Sequence, residues 1–203
     1  MFAGLTWAVV TLDGVARFDA AASASLVPYR FPWLLHVFLW LTTLGTGAAL
    51  AGMAVTATGF LWAHRRGGLI VPLWVTFAGA QASTWIGKYT VGRARPMFLD
   101  GLATALSPSF PSAHASGAAA TLGFLTYAVT RDLDPRRGRE VAYWTTTLVA
   151  LVGFSRVFLG VHFATDVVGG FLVGGFWLLV GIVLAEWLER RRRSKLGETS
   201  SAR

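Results

Sequence analysis

The chain has 203 residues, of which 54% are hydrophobic and 14% charged, with nine Trp and no Cys. This composition excludes an ordinary soluble domain, a disulfide framework and thiolate metal sites, and it points to a membrane protein. Lys and Arg outnumber Asp and Glu by 18 to 10, but about half of the cations sit in short loops and a tail flanking apolar runs, so the surplus reads as membrane orientation and not as a nucleic-acid surface.

Residues 1–12 are apolar but fewer than the roughly 20 that a full crossing needs, which predicts a shortened first helix reaching about Val15 past Asp13. The uncharged run 31–63 is too long for one simple crossing, and Gly45-Thr46-Gly47 predicts a break in it. Residues 32–43 then form a short interfacial helix anchored by Trp33 and Trp40, and residues 44–63 a span. Further spans are predicted at 69–87, 115–130, 141–155 and 167–187. The expected fold is all-α: a polytopic bundle of about six transmembrane helices, with one membrane domain over residues 1–190 and a basic polar tail over 191–203.

Twelve cations (Arg65, Arg66, Arg131, Arg136, Arg137, Arg139, Arg190 to Arg193, Lys195 and Arg203) belong to one side of that topology. Six (Arg17, Arg30, Lys88, Arg93, Arg95 and Arg156) belong to the other. The positive-inside rule therefore predicts a multi-pass cell-membrane protein with cytoplasmic termini and the loop from Lys88 to His114 outside.

On that outer side Lys88, Arg93, Arg95 and Arg156 accompany His114, His162 and Asp166. Arg93 alone reads as an interfacial snorkelling residue. Asp166 is the single anion expected nearby, and a bound phosphate best supplies the missing negative charge. In KYTVGRARP, Lys88 and Arg95 are seven residues apart and share a face if the helix continues, while Pro96 biases Arg95 toward the helix exit. In PSAH, Ser112 reads as an N-cap before Ala113 and His114, where unpaired amides suit a phosphate oxygen and His114 can protonate a departing one. In SRVFLGVHFATD, Arg156 closes one helix, and His162 and Asp166, four apart, share a face at the start of the next. A carboxylate on one imidazole nitrogen fixes the tautomer and strengthens the other as a nucleophile. His36 and His64 lack such company and receive no role. Only His114, His162, Asp166 and Asp100 could ligate a metal there, among cations that would repel it, so no metal and no cofactor is expected.

Lys88 with six residues to Arg95-Pro96, then Pro111-Ser112-Ala113-His114, then Ser155-Arg156 with five residues to His162 and three more to Asp166, together resemble the three-part signature of the type 2 phosphatidic acid phosphatase superfamily. The resemblance spans residues 44–187. It implies a metal-independent phosphatase working through a phosphohistidine, with His162 as nucleophile, Asp166 as its orienting partner and His114 as the acid. It also implies that Lys88, Arg95, Ser112, Arg156 and the Ala113 amide hold the phosphate. That second part usually carries Gly where this chain has Ala113, a change that keeps the amide but would strain a backbone with φ > 0.

The expected function is a lipid phosphatase, with undecaprenyl diphosphate favoured because the site faces outward, and phosphatidate or phosphatidylglycerol phosphate as alternatives. The partners are then that lipid phosphate or diphosphate and the membrane lipids, with no nucleic acid. From another class, a transporter or non-catalytic lipid-binding protein would also place charges among helices. A transporter would string them along a path, whereas here they gather at one face.

Overall fold

The computed structural model describes residues 2–96 and 107–201, with side chains through residue 194, and among these residues every regular element is helical. The helices are α1 (Phe2–Thr11), α2 (Asp13–Leu26), α3 (Pro32–Thr43), α4 (Gly47–Ala63), α5 (Ile70–Val91), α6 (Ala113–Thr130), α7 (Pro135–Phe158) and α8 (Ala164–Ser201). Short 3₁₀ turns at Val27–Tyr29 and Gly67–Leu69 lead into α3 and α5.

The N-terminal region departs from expectation. Instead of one helix ending near Val15, the chain breaks at Leu12, which has extended backbone, and continues as α2 to Leu26. That second helix is polar enough to bury Asp19 and Ser23 toward the bundle. The break after α3 falls where the glycines predict it. Thr46 caps α4 by accepting a hydrogen bond from the Ala49 amide at 3.2 Å, and α3 and α4 meet at 44°. Trp33 and Trp40 are exposed, as interfacial or lipid-facing side chains would be.

Among the described residues, three helical stretches are long and apolar enough to cross a bilayer: Gly67–Val91, Pro135–Phe158 and Ala164–Ser194. The α3–α4 pair makes a fourth if it crosses as one bent span. The count of about six therefore includes two elements that fall short on these grounds: α1 by its 10 residues, and α6 by composition. The first turns of α6 read AHASGAAATLG, too rich in small and polar residues for a lipid-facing helix. The reason lies in its position, since α6 packs against α4, α5, α7 and α8 and buries residues from Ala115 to Ala128. A helix surrounded by protein needs small residues for close approach more than it needs apolar bulk.

Glycines on α8 create that approach. A Cβ on Gly170 would lie 2.6 Å from the Ser112 carbonyl oxygen, and one on Gly174 would strike the Ser116 carbonyl. Contact this close seats the start of α8 against the start of α6, where the Ser112 amide donates to the Asp166 carbonyl at 2.9 Å. Apolar clusters then fill the bundle in layers. Leu61, Leu73, Phe124 and Ala185 pack toward one end, Leu50, Leu122 and Val152 in the middle, and Ala115, Val157 and Val167 beneath the site. Beyond Trp187, where the last span was expected to end, α8 stays helical, held to α6 by the ion pair of Arg131 with Glu189.

Candidate active site

The site is assembled where α5 and α7 end and α6 and α8 begin. Helix α5 stops after Val91 because Gly92 takes the left-handed conformation (φ 64°) and its amide closes on the Lys88 carbonyl at 2.9 Å. Lys88 and Arg95 therefore do not share a helical face; Arg95 comes in from the loop. Its Nη1 donates to the Val161 carbonyl at 2.8 Å and lies 3.1 Å from His162 Nε2, while its Nε donates to the Ser107 carbonyl at 2.9 Å. Lys88 Nζ, almost fully buried, donates to the Pro108 carbonyl at 2.5 Å.

His162 lies just before α8, not within it, and Asp166 occupies the third helical position. Asp166 Oδ2 reaches back to accept the Phe163 amide at 2.9 Å, one half of a capping box, which fixes the carboxylate at the mouth of the helix. The same oxygen is 3.4 Å from His162 Nδ1. Arg95 donates toward Nε2 while Nδ1 faces the carboxylate, so the favoured tautomer carries its proton on Nδ1 and leaves the Nε2 lone pair directed at the cations. Burial holds the imidazole well below its ordinary value, to about 4, although Asp166 opposes that shift. At neutral pH the ring is an uncharged base.

The other groups expected to hold phosphate lie at the start of α6 and the end of α7. Ser112 caps α6 with extended backbone but its hydroxyl makes no capping bond. Its Oγ is buried and has no partner among the described residues. Helix α6 makes its first backbone bond from the Ser116 amide to the Ser112 carbonyl at 3.0 Å, so the preceding amides, Ala113 included, are the unpaired donors of a helix N-terminus. Arg65 is the only residue other than Gly with positive φ among those described, so Ala113 sits in ordinary backbone and its methyl group introduces no strain. Arg156 donates from Nη1 to Thr42 Oγ1 at 2.8 Å, and its Nε is buried without a partner among the described residues. Burying an unpartnered polar group costs roughly 1–3 kcal/mol, so a ligand oxygen that met either atom would recover that cost. His114 lies within electrostatic reach of Arg156, His162, Arg95 and Lys88. Its ring packs on Gly45, where a Cβ would fall 3.2 Å from it.

All the expected site residues thus converge, and the structure adds others. Arg93 is no snorkelling side chain: its Nη1 donates to Asp166 Oδ1 at 2.6 Å and its Nη2 to Asp19 Oδ2 at 2.7 Å. Asp166 is accordingly not the lone anion, because α2 brings Asp19 to the same cluster. Ser109 donates to Asp166 Oδ2 and lies 3.3 Å from His162 Nδ1. Thr42, Ser109 and Asp19 carried no sequence signal, since each belongs to the site only through a partner distant along the chain. His36 and His64 bond locally to the carbonyls of Pro32 and Phe60, four residues back in each case. Asp100 lies outside the described residues.

The family model described as the PAP2 superfamily matches residues 69–190. Phosphatidylglycerophosphatase B of Bacillus subtilis (strain 168) is 33% identical over 171 residues, covering 82% of this chain and 83% of the relative. The crystal structure of a transmembrane PAP2-type phosphatidylglycerolphosphate phosphatase from Bacillus subtilis superposes with a TM-score of 0.85 at 30% identity, over 91% of this chain and 92% of that one. Aquifex aeolicus LpxE shares the fold, with a TM-score of 0.63 at 23% identity over 83% of this chain and 95% of its own. A family model matching more than half of the chain, a relative similar over about four-fifths of its length, and the three-segment site place the chain in the PAP2 superfamily, as an integral membrane lipid phosphatase that hydrolyses phosphoric esters.

Proposed function

We propose that the chain hydrolyses a lipid phosphate monoester through a phosphohistidine on His162. The observation that carries this reading is the His162 Nε2 lone pair, fixed from behind by Asp166 and facing Arg95, with the unpartnered Ser112 Oγ and Arg156 Nε in the same site. Lys88, Arg95, Arg156, Ser112 and the Ala113 amide hold the phosphate oxygens. Nε2 forms the bond to phosphorus as the ester P–O bond breaks, and His114 gives its proton to the departing oxygen. Water, deprotonated by His114, then attacks the phosphorus and releases inorganic phosphate and free His162. Asp166 stabilises the charge that develops on the ring during both steps.

Similarity to phosphatidylglycerophosphatase B supports phosphatidylglycerophosphate as the substrate ahead of undecaprenyl diphosphate, which rests on orientation and the family resemblance. The test is phosphate release by detergent-purified protein from phosphatidylglycerophosphate, phosphatidate and undecaprenyl diphosphate, each with and without EDTA. The expected result is highest kcat/KM on phosphatidylglycerophosphate and full activity in EDTA, because the site's carboxylates are engaged by Arg93 and cations surround its histidines. Activity lost in EDTA and restored by Mg²⁺ would defeat the mechanism; preference for undecaprenyl diphosphate would change the substrate alone.

The distribution of cations supports an extracytoplasmic site and cytoplasmic termini. A Cys at position 101, outside the described residues, should react with an impermeant thiol reagent on intact cells, and one replacing Gly138 near the start of α7 should not. The opposite labelling pattern would invert the orientation.

A further inference from the structure

Asp19 lies on α2, far in sequence from all three motif segments, yet its carboxylate is fully buried against the support of the proposed nucleophile. Oδ1 accepts the Thr165 amide at 3.1 Å, and Oδ2 accepts both the Thr165 hydroxyl and Arg93 Nη2, the latter at 2.7 Å. The Thr165 amide is one of the donors that a helix N-terminus leaves unpaired, and Phe163, at the cap position, has no side-chain acceptor to offer it. Asp19 thus caps α8 from another helix, one residue before Asp166. Arg93 completes the connection: Nη1 reaches Asp166 Oδ1 at 2.6 Å and Thr165 Oγ1 at 2.9 Å, and the guanidinium lies 4.4 Å over the Phe163 ring.

The charges explain why a second carboxylate is needed. A guanidinium bound to Asp166 alone would cancel the negative potential that His162 feels as its ring becomes positive on phosphorylation. Two carboxylates sharing one guanidinium leave a net negative charge behind the imidazole, in a buried setting where it acts strongly. We infer that Asp19 is a positioning residue for the reaction: through Arg93 and the first turn of α8 it holds Asp166 aimed at His162 and leaves the support behind the ring net negative. This inference rests on the reading of His162 as nucleophile. It also gives α2, which lies outside the residues 69–190 matched by the family model, a part in the chemistry.

The test is a double-mutant cycle with Asp19→Asn, Arg93→Gln and the double variant, measuring kcat, KM and the rate constant of phosphoenzyme formation in rapid-quench experiments. Asp19→Asn should slow phosphorylation of the enzyme by about tenfold with little change in KM, and the double variant should lose no more than Arg93→Gln alone. A merely structural role would lower the amount of phosphoenzyme formed and leave its rate constant unchanged, a result that overturns the inference, as would multiplicative losses in the double variant. Arg93→Lys, which keeps a cation, replaces Arg93→Gln in the cycle if the latter does not accumulate. A normal wild-type phosphoenzyme with an unchanged Asp19→Asn rate defeats this inference alone, whereas no phosphoenzyme in the wild type defeats the nucleophile reading and this one with it.

Discussion

His162→Ala should reduce hydrolysis to the uncatalysed background and abolish the phosphoenzyme that alkaline quenching traps in the wild type. The size of this effect follows from what the side chain supplies. If Nε2 forms the bond to phosphorus, its removal eliminates that pathway: Lys88 and Arg95 bond to loop carbonyls, and Asp166 lies on the Nδ1 side of the ring. Asp166→Asn should be less severe. The amide can still meet Nδ1, but it cannot stabilise the positive ring, and it loses its ion pair with Arg93. Alkali is the appropriate quench because a phosphoimidazole survives base and is lost in acid. Trapped phosphate that persists in His162→Ala would move the covalent step to another residue, and a wild-type enzyme that never traps phosphate would replace it with direct attack by water.

What could be read from sequence was local. The Gly45-Thr46-Gly47 step breaks the long apolar run because glycine and a capping threonine disfavour continuation, and the start of α6 at Ala113 follows from Ser112 and the small residues behind it. The three motif segments were legible because each places its polar groups within a few residues of a helix end. Arg93 was misread for the complementary reason. In sequence it is one more interfacial cation, and only Asp19, 74 residues away, shows that it is an interior bridge. The polarity of α2 was equally opaque until the partner of its buried carboxylate was known. Hydropathy also undervalues α6, since the property that suits it to the centre of the bundle, small side chains that admit Gly170 and Gly174, removes the apolar bulk by which spans are recognised.

His114→Ala should separate substrates by their leaving groups. The imidazole packs on Gly45 at the start of α6, within electrostatic reach of Lys88, Arg95, Arg156 and His162, and in the proposed mechanism it protonates the departing oxygen. A glycerol alkoxide leaves poorly without a proton, so the alkyl phosphate lipid should lose about 10² to 10⁴ in rate. p-Nitrophenolate leaves readily without one, and its first turnover on His114→Ala should remain close to wild type. The second half of the reaction still needs a base for the attacking water. The variant should therefore release a burst of p-nitrophenol and then stall with phosphate on His162. Equal losses on the two substrates in the first turnover would remove His114 from the acid's role, because a group that only bound phosphate would act on both alike. A burst from His162→Ala instead would exchange the two histidines, and with them the purpose of the carboxylate that α8 and Arg93 hold in place.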